Sequence, residues 1–245
     1  MRFLYLLTAL LFASCATQVY SSLQRDGQAE LSIYAALEPK TAVLISRLGV
    51  AFGGMEPGTP VLNGAAIAAS MAAAPGISSA AFKNTAPTAI EGAVKVTQIG
   101  DFLATGMAAG GTANRQSPQF ISFEQNSSAT GGGGRCIINL SLESGSKILS
   151  LISPEIGEYF HLLDAPLATG IAKSKADFLK DITMMWGRDI SDEISRATIR
   201  AIIDFPGSIQ SVKGGTFSGR RAEFVIPLLD VMVLETPLHY EAVWK

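Results

Sequence analysis

The first fifteen residues, Met1 to Cys15, constrain this chain most, because they decide on which side of a membrane the rest of it folds. Arg2 gives the segment a positive start, and an apolar run from Phe3 to Ala13 follows, interrupted only by Thr8. A run of about eleven residues spans about 16 Å as a helix, roughly half of the hydrocarbon core of a bilayer, which is too short for a stable membrane span. The pattern therefore predicts a secretion signal and a domain that folds outside the cytoplasm.

The end of this segment resembles the lipobox of bacterial lipoprotein precursors. Phe12-Ala13-Ser14 places one large apolar residue and two small ones before Cys15. The resemblance implies cleavage before Cys15 and attachment of diacylglycerol to its sulfur. Each buried CH₂ contributes about 0.8 kcal/mol, so two or three acyl chains would hold the protein on its membrane almost permanently. Ser14-Cys15-Ala16 also fits the ordinary signal peptidase, and release of a soluble protein beginning at Thr17 stays open.

Three segments follow from these observations. Residues 1–14 are predicted to be the signal peptide, residues 15–25 the lipidated cysteine and a tether, and residues 26–245 an extracytoplasmic α+β domain. The tether is expected because residues 16–25 are small or polar without clear periodicity, and about ten residues reach at most about 35 Å. Residues 1–140 hold 15 charged side chains and residues 141–245 hold 25, which indicates a subdomain change near residue 140.

The charge balance and the cysteines exclude some functions. Lys and Arg total 19 against 21 Asp and Glu, and no basic cluster compensates for the net charge of −2, which argues against a nucleic-acid partner. Of the two cysteines, Cys136 would be the one left in the domain. Its apolar neighbours Ile137 and Ile138 favour a small strand residue that faces the core over a reactive thiol, and a disulfide between two chains stays open.

Periodicity predicts an α+β fold with a mostly antiparallel sheet and several helices packed on one face. Residues 29–37 follow the turn signal Asp26-Gly27 and alternate between apolar and polar side chains, with Tyr34 on the polar side. The nearly pure glycine stretch from Ala129 to Gly134 predicts a long-tipped hairpin. The other predicted strands cover 77–83, 89–100, 119–125, 136–142, 199–205, 209–213, 222–226 and 238–244.

The predicted helices include one that is built almost entirely from alanine. Asn63 is placed to cap it, and Pro75-Gly76 ends it. No ionisable residue occurs from Pro57 to Phe82, yet the interruptions favour a helix packed closely on a sheet, with a cavity beside it, over a lipid-contacting surface. Further helices are predicted at 43–52, 146–151, 154–163, 173–186 and 191–199, whereas 227–234 is an apolar element of undecided type.

The inventory of reactive side chains predicts a protein without catalysis, cofactor or metal. His161 and His239 are the two histidines, and no His-x-x-x-His, Cys-x-x-Cys or carboxylate cluster has metal-ligand spacing. His161 with Asp164 is the best local acid–base pair, but no Gly-x-Ser-x-Gly motif accompanies it, so a surface histidine is favoured. His239 is expected to face solvent, and Trp244 is expected to anchor the chain end in a sheet.

One cluster of large apolar side chains closes a predicted helix. Met184, Met185 and Trp186 follow Phe178 by one to two turns. Such a cluster is typical of a core, and Met and Trp also line adaptable apolar pockets. These four residues are the candidate pocket.

The order of elements adds a second resemblance. An early strand after Asp26-Gly27, a middle helical segment, the Pro206-Gly207 turn and a closing stretch from Gly219 to Trp244 are similar to the pattern of LppM-like bacterial lipoproteins. That resemblance implies an α+β extracytoplasmic domain with lipid or glycolipid binding.

These features together predict a non-enzymatic, lipid-anchored protein of the cell envelope that binds an apolar ligand, such as a lipid, or a protein partner. A structural or assembly lipoprotein that acts only through protein contacts is the alternative, and an envelope hydrolase is the third reading. Ala16-Thr17 lacks the aspartate that retains many enterobacterial lipoproteins at the inner membrane, so the resemblance to lipoproteins favours the outer membrane.

Overall fold

The computed structural model describes residues 16–51, 56, 58–73, 76–99, 121–125, 133–144, 160–161 and 163–245. Its strands are β1 (Ala16–Leu23), β2 (Ala29–Ala36), β3 (Ile77–Ala86), β4 (Ala89–Val96), β5 (Ile121–Gln125), β6 (Gly134–Leu140), β7 (Thr198–Asp204), β8 (Ile209–Lys213), β9 (Thr216–Ser218), β10 (Arg221–Pro227) and β11 (Leu238–Trp244). Its helices include α1 (Pro39–Ala51), α2 (Gly64–Ala72), α3 (Pro166–Thr169), α4 (Lys175–Trp186), α5 (Arg188–Arg196) and α6 (Leu228–Val233).

Two sheets organise these elements. The large sheet has seven strands in the order β3-β4-β2-β1-β7-β10-β9, and the small sheet has four in the order β5-β6-β11-β8. In the large sheet β1 and β7 run parallel, and the other neighbours are antiparallel. The small sheet is antiparallel. The predicted α+β fold with a mostly antiparallel sheet is confirmed.

The predicted tether is wrong over Ala16–Leu23, because this segment is a central strand. It pairs with β2 along its whole length on one side and with β7 on the other. Its buried side includes Thr17 and Ser21, which are 2% and 8% exposed. Polar residues at buried positions conceal the apolar alternation by which a half-buried strand is recognised in a sequence.

The next strand follows the sequence pattern closely. Along β2, residues from Ala29 to Tyr34 alternate between buried and exposed, as predicted. The Asp26-Gly27 turn joins it to β1: the N–H of Gln28 donates to Oδ1 of Asp26 at 3.0 Å, and Gly27 has φ +84°.

The first core lies between the two sheets. The buried face of the large sheet contributes Ile33, Val94 and Phe224, and the small sheet contributes Tyr240 and Trp244. Trp244 is 2% exposed and stacks on Phe205 with ring centroids 4.7 Å apart, which confirms that it anchors the chain end.

Helix α2 covers the β3 and β4 end of this core. Asn63 caps it as predicted, since its side chain accepts the N–H of Ala66 at 3.0 Å. A Cβ on Gly64 would lie 3.0 Å from the carbonyl carbon of Lys83, so the small residue at the helix start permits close packing on β3.

The second core is formed mainly by helices. Phe178 and Ile182 of α4, Ile190 and Ile194 of α5, and Met232 of α6 are buried together. Helix α6 contacts α3, α4 and α5, α4 contacts α5, and α1 contacts α5, whereas α2 lies on β3 and β4. The expected single layer of helices on one sheet face is therefore not confirmed.

The compositional change near residue 140 does not divide the sheets. Strand β7 from the charged C-terminal part pairs with β1, and β11 pairs with β6. Strands β5 and β6 form the predicted hairpin.

Some predicted segments lie outside the described residues. These are the signal segment 1–15, the predicted helix 146–151 and most of the predicted helix 154–163.

Candidate binding face of the large sheet

One face of the large sheet carries the candidate site. We call the open face the side of the sheet that bears Gln18, Tyr20, Ser32, Tyr34 and Ile202. These side chains are exposed or half-buried, unlike the residues of the opposite face that form the first core. Cross-strand partners lie on the same face of a sheet, so the strand register places the open-face residues in rows.

The middle row has short side chains on three neighbouring strands, β3, β4 and β2. It runs across the strands from β3 to β10 as Ala81, Ala93, Ser32, Tyr20, Ile202 and Glu223. The row beside it runs as Lys83, Glu91, Tyr34, Gln18, Arg200 and Val225. Ion pairs lie towards both ends of these rows: Lys83 with Glu91 at 3.0 Å, and Arg200 with Glu223 at 2.7 Å.

Small residues in the middle row leave a groove. Its volume is about 660 Å³, and Tyr20, Tyr34, Ser32, Ala93 and Ile202 are among the residues that line it. Tyr34 is 41% exposed, which is high for an aromatic side chain in the centre of a sheet. The groove therefore offers apolar contact area flanked by hydroxyl and charged groups, within the size range of small-molecule sites, about 300–1,000 Å³.

A separate polar recess lies beside the groove, further along β1 and β7. It is lined by Ser22, Asp204, Ser218, Arg220 and Arg221 and has a volume of about 580 Å³. Ser22 and Asp204 follow Tyr20 and Ile202 by two residues on the same face, a step of about 6.6 Å. The open face thus has an apolar part next to a polar part.

A hydrogen-bonded cluster joins the two parts. The guanidinium of Arg221 donates to both carboxylate oxygens of Asp204, at 2.7 and 2.9 Å, and to the hydroxyl of Tyr20 at 3.3 Å. It also lies 5.4 Å from the centre of the Tyr20 ring, and the Tyr20 hydroxyl donates to Asp204.

The same contacts shift the pKa values of the cluster. Hydrogen bonds from Arg221 hold the pKa of Asp204 below its usual value, although partial burial opposes this. The hydrogen bond to Asp204 raises the pKa of Tyr20. At neutral pH the cluster therefore contains a carboxylate, a guanidinium and a neutral phenol, which fix the floor of the groove in one arrangement.

The four residues of the candidate pocket are not brought together around one cavity. Phe178 is fully buried in the second core, and Trp186 packs against that core. Met184 and Met185 are 69% and 49% exposed on α4. Two of the four side chains therefore contact the second core, and the other two are exposed to solvent.

Cys15 lies outside the described residues, and Cys136 is half-buried against the first core. Burial raises the pKa of the Cys136 thiol to about 12, so it is protonated at neutral pH. This agrees with the predicted structural role.

The two histidines lie in different surroundings. His161 is exposed, and the carboxylate of Asp164 pairs with Lys173. His239 is half-buried rather than fully exposed, between Asn139 and Glu241. The residues that the structure describes contain no group of three His, Cys, Asp or Glu side chains placed to hold a metal ion.

The groove residues were missed because they come from strands that are distant in the sequence. One local signal was present: Tyr34 occupies a solvent-facing position in the predicted alternation of β2. A single exposed aromatic side chain is common on protein surfaces, so this signal alone could not have identified the groove.

Neither a protein-family model nor a curated protein matches this chain. Among solved structures, the chain is similar to the folded domain of LppM from Mycobacterium tuberculosis, determined by NMR, with a TM-score of 0.41 and 10% sequence identity. The similarity covers 94% of this chain and 88% of that chain. A similarity of this degree carries no functional assignment.

Proposed function

We propose that this chain is a lipid-anchored protein of the cell envelope that binds a ligand with an apolar and a polar part on the open face. The observation that carries the proposal is the groove over Tyr20, Ser32, Ala93 and Ile202. An apolar chain would displace water from this floor, at about 25 cal/mol per Å² of apolar surface removed from water. The polar recess would receive the polar end of the same molecule.

The polar recess favours a ligand end that accepts hydrogen bonds. Arg220 and Arg221 line it together with the hydroxyl groups of Ser22 and Ser218. One N–H of Arg220 donates to the carbonyl of Phe205 at 2.8 Å, which holds the side chain beside the recess. Guanidinium groups bind phosphate and carboxylate oxygens well.

Binding without catalysis is the reading that these contacts support. The Asp164 carboxylate, which would have to orient His161 in a catalytic pair, is engaged by Lys173. An envelope hydrolase remains the third reading, and loss of a measured hydrolytic activity in a His161→Ala variant would revive it.

The proposed location is the envelope, held there by lipid on Cys15. Among the described residues, none of the helices combines the length and the apolar character needed to cross a bilayer. The outer membrane is the proposed destination, supported by the absence of aspartate in Ala16-Thr17 directly after the cysteine.

The binding proposal is tested with a chain that begins at Ala16 and a pyrene-labelled fatty acid. We expect saturable binding that Ser32→Trp abolishes, because an indole in the middle row fills the groove. Ser211→Trp on β8, an exposed strand residue outside the groove, is the matched control and should bind normally. Equal binding by both variants would contradict the site, and no binding by the parent chain would contradict a fatty acyl ligand.

A protein that acts only through protein contacts is the alternative function. It predicts stable complexes with envelope proteins after cross-linking in intact cells, and Ser32→Trp would then remove a cross-linked partner without any effect on bound lipid.

A further inference from the structure

The two arginines of the polar recess differ in how far the protein itself uses their N–H groups. Arg221 donates to both carboxylate oxygens of Asp204, at 2.7 and 2.9 Å, and to the hydroxyl of Tyr20 at 3.3 Å. The carboxylate that it contacts also balances its charge. Arg221 therefore holds the floor between the groove and the recess and has little capacity left for a ligand.

Arg220 bonds to the protein through one side-chain N–H group. Its Nε donates to the carbonyl of Phe205 at 2.8 Å, and the N–H of Phe205 donates to the carbonyl of Arg220 at 2.8 Å, which fixes the position of this residue beside the recess. Among the residues that the structure describes, none accepts a hydrogen bond from its two terminal amino groups or forms an ion pair with it. Four N–H donors of Arg220 thus remain for a ligand in the recess that it lines.

The charges at this level of the sheet leave one positive charge in excess. Lys95 is the cross-strand neighbour of Glu30, and Arg221 is the neighbour of Asp204, so these four side chains balance one another. The ion pairs at the two ends of the groove are neutral as well. Arg220 adds the excess charge, and its field reaches the recess, since it contributes to the low pKa of Asp204.

From this arrangement we propose that the polar recess selects amphiphiles that carry one negative charge, and that Arg220 is the residue that binds the anionic group. The inference rests on ligand binding in the groove, as in the proposed function, and adds a charge requirement to it. A carboxylate or a phosphodiester accepts hydrogen bonds from the terminal amino groups of Arg220 and from the hydroxyl groups of Ser22 and Ser218.

The strand geometry allows one molecule to occupy both parts. Tyr20 lines the groove and Ser22 lines the recess, and two residues of a strand span about 6.6 Å. A ligand whose apolar chain lies on the groove floor therefore extends its polar end by only about 7 Å to meet Arg220. A neutral end of the same size leaves the charge of Arg220 unmatched.

The test uses the full chain and two pairs of probes that differ in charge. The first pair is a pyrene-labelled fatty acid and the fatty alcohol of the same chain, and the second is lysophosphatidylglycerol and lysophosphatidylcholine as competitors. At low ionic strength we expect the anionic member to bind about tenfold more tightly than its partner, and added salt to reduce this ratio. A preference confined to one pair identifies that anion as the ligand group.

Three variants assign the preference to a residue. Arg220→Gln should bind acid and alcohol equally while its affinity for the alcohol stays at the parent value, which also shows that the groove is intact. Arg220→Lys keeps the charge and should keep most of the preference. Lys180→Gln removes the same charge from an exposed position of α4 and should behave like the parent.

The outcomes separate this inference from the proposed function. Equal affinities within both pairs for the parent chain would overturn the charge requirement and leave the groove as a binding site. This comparison needs no variant, so it holds even if Arg220→Gln fails to fold. A full preference for the anion in Arg220→Gln would overturn the role of Arg220. A parent chain that binds neither the acid nor the alcohol would contradict the proposed function itself.

Discussion

The carboxylate of Glu193 joins two helices that are far apart in the sequence. It is 6% exposed on α5 and accepts the N–H groups of Lys40 and Thr41 at 3.0 and 2.7 Å. These N–H groups belong to the first turn of α1, where a helix has no backbone acceptors of its own. Glu193 therefore caps α1 from another element, which no local sequence pattern reveals.

We expect Glu193→Ala to lower the free energy of unfolding by about 1–3 kcal/mol, because two partly buried N–H groups at the start of α1 lose a charged acceptor. Urea denaturation of the chain that begins at Ala16 measures this change. Asp192→Ala, at an exposed position of the same helix, should change stability by no more than about 0.5 kcal/mol. Equal effects of the two substitutions would contradict the capping role.

Acid stability should depend on Asp204. Its pKa in the folded protein lies below the ordinary value of 3.8, chiefly because Arg221 donates hydrogen bonds to it. The folded state then binds fewer protons than the unfolded state, so this stabilisation is present above about pH 4 and is lost as the pH falls through the lowered pKa.

An Asp204→Asn variant should therefore be less stable than the parent at pH 7 and should lose less stability between pH 4 and pH 2. Denaturation midpoints across this range measure the difference. Asp192→Asn is the control for the removal of an exposed aspartate. If the stability of Asp204→Asn depended on pH as the stability of the parent chain does, the proposed contribution of Asp204 to stability would be ruled out.

Helices and strands that are marked by a pattern of neighbouring residues were predicted from the sequence, and those without such a pattern were missed. The alternation of β2 and the Asn63 cap of α2 depend on neighbouring residues, and both are confirmed. Strand β1 was missed because Thr17 and Ser21 occupy buried positions. The groove was missed because Tyr20, Ser32 and Ile202 meet only through the pairing of β1 with β2 and β7.

Strand β1 is expected to be essential for folding. A chain that begins at Ala16 should give a dispersed NMR spectrum. A chain that begins at Gln24 lacks β1, which lies between β2 and β7 in the centre of the sheet, and should not give a dispersed spectrum. A tether in place of β1 would predict identical spectra, so a folded chain from Gln24 would contradict the observed topology.

For the whole molecule, the two cores should unfold together. Strand β7 supplies Ile199 to the second core and Ile203 to the first, and Ile226 of β10 packs against both. The two tryptophans report on different cores: Trp244 is buried in the first, and Trp186 packs against the second.

We therefore expect one shared unfolding transition in the Trp186→Phe and Trp244→Phe variants, each of which keeps one tryptophan. In each variant, the urea midpoint measured by tryptophan fluorescence should equal the midpoint measured by circular dichroism. Separate midpoints within either variant would show two independently unfolding parts, as the change in composition near residue 140 alone would suggest.

The parallel pairing of β1 with β7 has a consequence for the order in which the chain folds. Tyr20 and Asp204, which are hydrogen-bonded across this pair, are 184 positions apart, so β1 is synthesised long before β7. Contacts of such separation form slowly, because a long loop must close first. For that interval β1 has one open edge, with which a second copy of the chain could pair.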